Sequence, residues 1–195
     1  MNQPLLLLQQ AAQSFLHGKG SKPPAADLVT ALLDLEKQAR QEKPSHQFSD
    51  LVGTWRLCFI TGTKKAQNRA GIVLGSGFYL FAPIRITISF QSKTAEQGTV
   101  NNVVQVGLVT LSVSGPAKFQ PKKNLLAFDF TQIQFQILGV PIYKGYIRGG
   151  KASEEKFYEN SIAKQAFFAF FAIQSDLIAA RGRGGGLALW VKSDG

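Results

Sequence analysis

From residue 51 onward, apolar and polar positions alternate with a period of two, the mark of half-buried β-strands. In "SDLVGTWRLCFIT" (49–61), Trp55, Leu57 and Phe59 share one parity, and Arg56 and Cys58 take the other. "IRITISF" (84–90) sets Ile84, Ile86, Ile88 and Phe90 against Arg85, Thr87 and Ser89. "GTVNNVVQVGLVTLSVSG" (98–115) reads as two strands meeting near Gly107. In "NLLAFDFTQIQFQIL" (124–138), Phe128 and Phe130 are in phase, then Ile133, Phe135 and Ile137 adopt the opposite phase. That slip near Thr131-Gln132 predicts a bulge within one strand. "PIYKGYIRG" (141–149), "AFFAFFAIQ" (166–174) and "GLALWVK" (186–192) complete the set. About eight strands joined by turns, with no helical crossovers, predict an antiparallel up-and-down sheet closed into a barrel. A barrel of about eight strands has room for one small ligand.

The first 48 residues follow a different period. "QPLLLLQQAAQSFLH" (3–17) predicts a short helix ended by Gly18-Lys19-Gly20. In 24–42, Leu28, Leu32, Leu35 and Ala39 form one apolar stripe, acids come early and bases late, and Pro44 follows. The expected fold class is therefore mainly β with an N-terminal helical segment (α+β). Residues 1–48 form a helical leader and 49–195 the barrel.

Charge refines this picture. The net charge is +10, yet residues 1–50 hold five Lys/Arg and five Asp/Glu, so the whole excess lies in 51–195. Such an excess favours an anionic partner, a nucleic acid or a membrane surface. "RGRGGG" (181–186) is too short for an Arg-Gly nucleic-acid segment and reads as a turn. The helical leader offers no basic recognition face, which excludes a nucleic-acid partner. One cysteine, Cys58, and two histidines, His17 and His46, predict no disulfide and no metal site. No run approaches the roughly 20 apolar residues of a membrane-spanning helix. "MNQPLLLLQQAA" has neither a signal peptide's basic n-region nor an Arg/Ser-rich transit character.

"GTW" at 53–55 resembles the Gly-x-Trp that opens the first strand of lipocalins. The ordered set of Leu35-Glu36, "LVGTWRLCFIT", "GTVNNVVQV" and "DLIAARGRGGGLALWVK" resembles the plastid lipid-associated protein (PAP)/fibrillin family more closely, over roughly residues 25–192. The Asn-Pro usual after Leu-Glu in that family is replaced here by "KQARQEKPS". The resemblance implies a lipocalin-like barrel. It also implies binding or organising of a prenylquinone, carotenoid or lipid at thylakoids or lipid droplets (plastoglobules). The implied location is peripheral to a cyanobacterial membrane, or plastidic for a processed plant form. By the same resemblance, Trp55 plugs the closed end of the barrel and Arg181 covers it in a cation–π contact of about 0.5–2 kcal/mol. Gly53 allows close backbone approach, and Asp176 anchors the Arg181 turn.

By parity, Leu57, Phe59, Ile86, Ile88, Phe90, Phe128, Phe130 and Phe135 are the candidate ligand-facing residues, with plain core packing as the alternative for each. If Trp55 marks the closed end, the stretch 62–83 crosses the open mouth. It carries Lys64, Lys65 and Arg69, then an apolar run with Phe78, Tyr79 and Phe81. Those six residues are the candidate membrane-docking set on an anionic surface, against a lid or an extra strand. No nucleophile, acid and base set stands out: Leu74 and Phe78 occupy the glycine positions that a nucleophile elbow requires around Ser76, and Glu154-Glu155 lies in a polar loop. The expected function is non-catalytic and needs no cofactor. Two alternatives stand beside it. One is a bilin chromophore lyase of lipocalin fold, pairing propionates with Arg85 and Arg148. The other is a membrane-associated scaffold with a filled barrel.

Overall fold

The computed structural model describes residues 3–18, 20–62 and 77–193. Helices α1 (Gln3–His17) and α2 (Ala25–Glu42) come first. Gly18 ends α1 in the left-handed region, at φ +62°. Lys43 ends α2 the same way, its N–H donating to the Ala39 carbonyl at 2.9 Å, and Pro44 follows. A 3-10 turn, Phe48–Leu51, leads into the sheet.

Eleven strands follow among the described residues: β1 (Gly53–Thr61), β2 (Gly77–Tyr79), β3 (Ile84–Ser92), β4 (Gln97–Val106), β5 (Val109–Gln120), β6 (Leu125–Phe128), β7 (Gln132–Ile137), β8 (Val140–Tyr146), β9 (Ala166–Ile173), β10 (Leu177–Gly182) and β11 (Leu187–Lys192). All pairings are antiparallel. Eight strands close a ring in the order β4-β3-β1-β11-β10-β9-β6-β5, and the β4–β5 pairing completes it. Helix α3 (Gly150–Phe157) lies between β8 and β9. The expected antiparallel barrel with a helical leader is what the chain forms.

Three strands lie off the ring. β2 pairs with the end of β1. The β7–β8 hairpin attaches to β5, which is long enough to serve two neighbours. Val109–Ser114 pair with β7, and Ala117–Gln120 pair with β6. The sheet β3–β4–β5–β7–β8 therefore runs off the ring as a flare at one end.

This corrects the reading of 124–138 as one bulged strand. The chain leaves β6, crosses at 129–131 and re-enters the sheet as β7 on the other half of β5. Thr131 is fully buried at the crossing. Its N–H donates to Ser114, its hydroxyl to Glu154, and its carbonyl accepts from Ile147. Gly115 makes room for it, since a Cβ there would meet the Asp129 carbonyl oxygen at 2.2 Å. The phase slip is real, but it records a change of partner. Glu154, expected in a solvated loop, instead lies in α3 and accepts from Thr131 and Gln132.

Two apolar layers result. One fills the barrel around Trp55, Phe90, Phe119, Phe170 and Trp190. The other joins α1 and α2 to the outer faces of β1, β9, β10 and β11 through Leu8, Leu28, Leu32, Phe171, Leu177 and Leu189. Phe59 belongs to the second layer, not to the interior. A register shift between Leu57 and Phe59 opposite β11 places Cys58 and Phe59 together under the helices. Parity from Trp55 fails at that bulge.

Candidate functional site

Among the described residues the barrel has a closed floor and an open mouth. At the floor, Trp55 is fully buried and its Nε1–H donates to the Leu51 carbonyl at 2.7 Å. The cation across it is Lys192, with Nζ 4.2 Å from the ring centroid and 2.9 Å from the Val52 carbonyl. Gly53, at φ +127°, leaves the necessary space, since a Cβ there would meet Lys192 Nζ at 2.4 Å. The smallest side chain stands next to the largest so that a lysine can lie over the plug.

Arg181 does not cover Trp55. It stands near the opposite end of the barrel and donates to Glu36 of α2 through Nε at 2.7 Å, and through Nη2, with Nη1 on the Gly185 carbonyl. Hydrogen bonding to Arg181 holds the Glu36 carboxyl below its usual range, and the same bond raises Arg181. Asp176 does not anchor the Arg181 turn either. It lies in the β9–β10 turn at the floor, where its carbonyl accepts the Lys192 N–H at 2.8 Å.

Above the plug, aromatic rings climb the interior. Phe90 contacts Phe170 at 6.2 Å, Phe170 contacts Trp190 at 6.5 Å, and Trp190 contacts Phe168 at 5.3 Å. Phe168 stacks on Phe128 at 4.9 Å, and Phe128 meets Phe130 at 5.2 Å. Leu57, Ile88, Phe90 and Phe128 are buried in this cluster, with Ile86 and Phe130 half-buried against it. The lower interior is thus filled by side chains.

The wall continues past that filling. Residues directly opposite in an antiparallel ladder share a face, and the register defines three inner rungs across five strands. The outermost is Ile84–Val106–Val109–Ile137–Val140. The next is Ile86–Val104–Leu111–Phe135–Tyr143. The third is Ile88–Asn102–Val113–Ile133–Gly145. Burial falls along this wall, from 3% exposure at Ile88 to 38% at Leu111 and 47% at Val106. Phe135 is on the inner face, but on the flare rather than within the closed ring. Besides the Tyr143 hydroxyl, Asn102 is the polar member of the three rungs, and its Oδ1 is buried with no hydrogen-bond partner among the described residues.

The outer face of the same strands is polar: Arg85, Thr87, Ser89, Gln105, Ser112, Gln134 and Lys144. Arg85 donates to Ser193 Oγ at 3.3 Å, and Arg148 pairs with Asp129 at 3.5 Å. Neither guanidinium faces the mouth from the inner wall. A cleft of about 480 Å³ lies between α2 and the β9–β10 pair, with Arg40, Lys43, Lys122, Lys123 and Arg183 around the Glu36–Arg181 pair.

Of the expected membrane-docking residues, Phe78 and Phe81 are exposed. Tyr79 is not available in the same way. Its hydroxyl donates to the Pro23 carbonyl at 2.9 Å, its ring meets Phe59 edge-on, and burial pushes its pKa up to about 12. Lys64, Lys65 and Arg69 lie outside the described residues. Among the described residues no group of His, Cys, Asp and Glu could hold a metal, and no helix is long and apolar enough to cross a membrane. The sequence reading missed Asn102, Phe168 and Trp190 as interior residues. Asn102 is the polar residue on the inward parity of β4, which the pairing with β3 reveals.

Cys58 faces the helical layer, with Sγ 4.0 Å from the Ala11 carbonyl, and burial raises its thiol to about 12. Iodoacetamide at pH 8 should therefore leave the native protein unmodified and alkylate it only on unfolding. Mass spectrometry of a native labelling time course reads this directly, and rapid native labelling would place the thiol at the surface.

No family model matches the chain, and no curated protein does. Among solved structures, a redesigned β-barrel overlaps 75% of this chain and 95% of its own, at 9% identity and a TM-score of 0.38. Fatty-acid-binding protein 1 of Echinococcus granulosus overlaps 75% and 99%, at 7% identity and a TM-score of 0.34. Likeness at these scores has no bearing on function.

Proposed function

We propose that this chain is a non-catalytic binder of a lipophilic molecule, seated in the barrel mouth at a membrane surface. The observation that carries the reading is the five-strand inner wall, which stays apolar beyond the point where side chains fill the barrel. Apolar wall left in contact with water is unfavourable by about 25 cal/mol per Å², and a ligand laid along it removes that cost. The filled floor makes the seat shallow. A flat or chain-like molecule suits it: a prenylquinone, a carotenoid or a lipid. The resemblance to plastid lipid-associated proteins points the same way, and with it to a photosynthetic membrane or lipid droplet.

Asn102 gives the reading a polar anchor. An unpartnered Oδ1 on an apolar wall fits a ligand hydroxyl or N–H. The test is to purify wild type and Asn102→Leu from membranes of the native host, extract both with organic solvent and quantify bound molecules by mass spectrometry. The expected result is a near-stoichiometric lipophile in the wild type. In the variant, recovery falls about three- to tenfold, the worth of one hydrogen bond, while thermal stability holds or rises. Equal recovery would remove Asn102 from the site. A wild type with nothing bound would favour the second reading, a scaffold, for which the aromatic filling of the lower barrel is the supporting observation.

A further inference from the structure

The rim of the flare is apolar where hairpin tips are ordinarily polar. Beyond the outermost rung lie two two-residue turns, Gly107-Leu108 and Leu138-Gly139. The Leu138 N–H donates to the Leu108 carbonyl at 2.9 Å, which fastens the two tips side by side. Leu108 is 64% exposed and Leu138 68%, with Val106, Val140 and Ile142 exposed around them. Phe81, 64% exposed, precedes β3 at the same end of the sheet.

Leu138 is also in an unfavourable backbone conformation for its type. Its φ is +53°, followed by +78° at Gly139, the primed turn that selects asparagine or glycine at its first position. A leucine there gains nothing for the turn, and among the described residues most of it lies open to solvent. Gly107 at φ +57° supplies the positive φ of the other tip, and Leu108 is again the exposed residue.

Charge singles out the partner. Residues 51–153 contain only two acids, Glu96 and Asp129, and neither lies in a strand. Lys144 stands on the outer face of the flare, behind the tips, while the Arg85 guanidinium is turned to Ser193. An apolar leading edge backed by a lysine, on strands that carry no acid, fits an anionic bilayer. A second copy of the chain fits less well. The free edge is β8, and it carries Pro141, which has no N–H to donate, together with Lys144 and a register irregularity opposite Phe135-Gln136, all devices that block strand addition.

We infer that the twin hairpin tips are a membrane wedge: Leu108 and Leu138 enter the acyl layer of an anionic bilayer while Lys144 sits at its head groups. The mouth beside them then opens toward the lipid. This rests on the membrane part of the function proposed above, and it holds with the mouth loaded or empty.

The test is flotation of the full chain with vesicles of phosphatidylglycerol and phosphatidylcholine, against phosphatidylcholine alone, with Tm and sedimentation measured alongside. Wild type should float with the anionic vesicles and less so at high salt. Leu108→Asn/Leu138→Asn should bind at least tenfold more weakly, while Leu138→Asn alone melts at the same or a higher temperature because asparagine suits the turn. Lys144→Glu should weaken binding to the anionic vesicles. If the double variant floats like wild type, the wedge is wrong although the membrane reading stands. If wild type does not float at all, both fail. A wild-type dimer that the double variant converts to a monomer, without vesicle binding, would make the tips a self-interface instead.

Discussion

Replacing Trp55 with alanine is expected to cost about 3–5 kcal/mol. The side chain is fully buried, so the substitution removes the largest piece of the floor and leaves a cavity that Phe48, Leu51 and Phe90 cannot collapse to fill. It also leaves the Leu51 carbonyl without its donor and Lys192 without the ring beneath it. At roughly 2–4 °C per kcal/mol for a chain of this size, the melting temperature should drop by about 6–20 °C. Trp55→Phe separates the contributions. It keeps much of the packing and loses the Nε1–H donor, and should cost about 1–3 kcal/mol. Lys192→Met should cost about 0.5–1 kcal/mol, the value of a cation–π contact near the surface. Calorimetry on the three variants ranks them, and a Trp55→Ala protein as stable as wild type would show that the plug is dispensable.

The second large effect is at Glu36. Its carboxylate binds Arg181 and Arg40 together, with 12% of the side chain exposed, and it ties α2 to the rim of β10. Glu36→Gln should cost about 1.5–3 kcal/mol, the range for hydrogen bonds to charged groups, because Arg181 is left against a neutral amide. The pH dependence has a defined sign. The folded carboxyl is held below its unfolded value of 4.5, so its contribution is complete above that pH and is lost as the pH falls through the folded value. The stability gap between wild type and Glu36→Gln should be constant near neutrality and close in acid. Urea titrations at a series of pH values measure it. A gap that persists unchanged to low pH would assign the loss to packing rather than to the ion pair.

The places where the sequence misled share one physical cause. Alternation reports which residues share a face only while the register is unbroken. Between residues 84 and 113 it is unbroken, and the inward set of β3 is readable from the pattern alone, but "NNVV" (101–104) in β4 shows no alternation and so hid Asn102. At Cys58 a bulge turns Phe59 outward, and nothing in "LCFI" marks it, since both faces there are covered and both are apolar. β10 escaped because "LIAARG" is buried on both faces, by the interior and by the helices, so it shows no alternation. The break at Thr131 was visible as a phase change but admits two geometries, a bulge or a change of partner, and only the pairing of β5 decides. The cover over Trp55 lies in pairing too: Lys192 reaches it because β11 runs beside β1, a neighbour no local pattern reveals.

That last pairing reaches beyond the plug. Among the described strands β1 is made first and β11 last, and the apolar stripes of α1 and α2 pack against β9, β10 and β11. Leu8, Leu28 and Leu32 therefore leave the ribosome long before the surface they cover exists. At 5–20 residues per second, that interval lasts roughly 10–30 s. The ring cannot close from its N-terminal half, and the nascent chain carries a sticky amphipathic hairpin until β11 is made. The same hairpin is a natural target for a chaperone that holds it until β11 arrives.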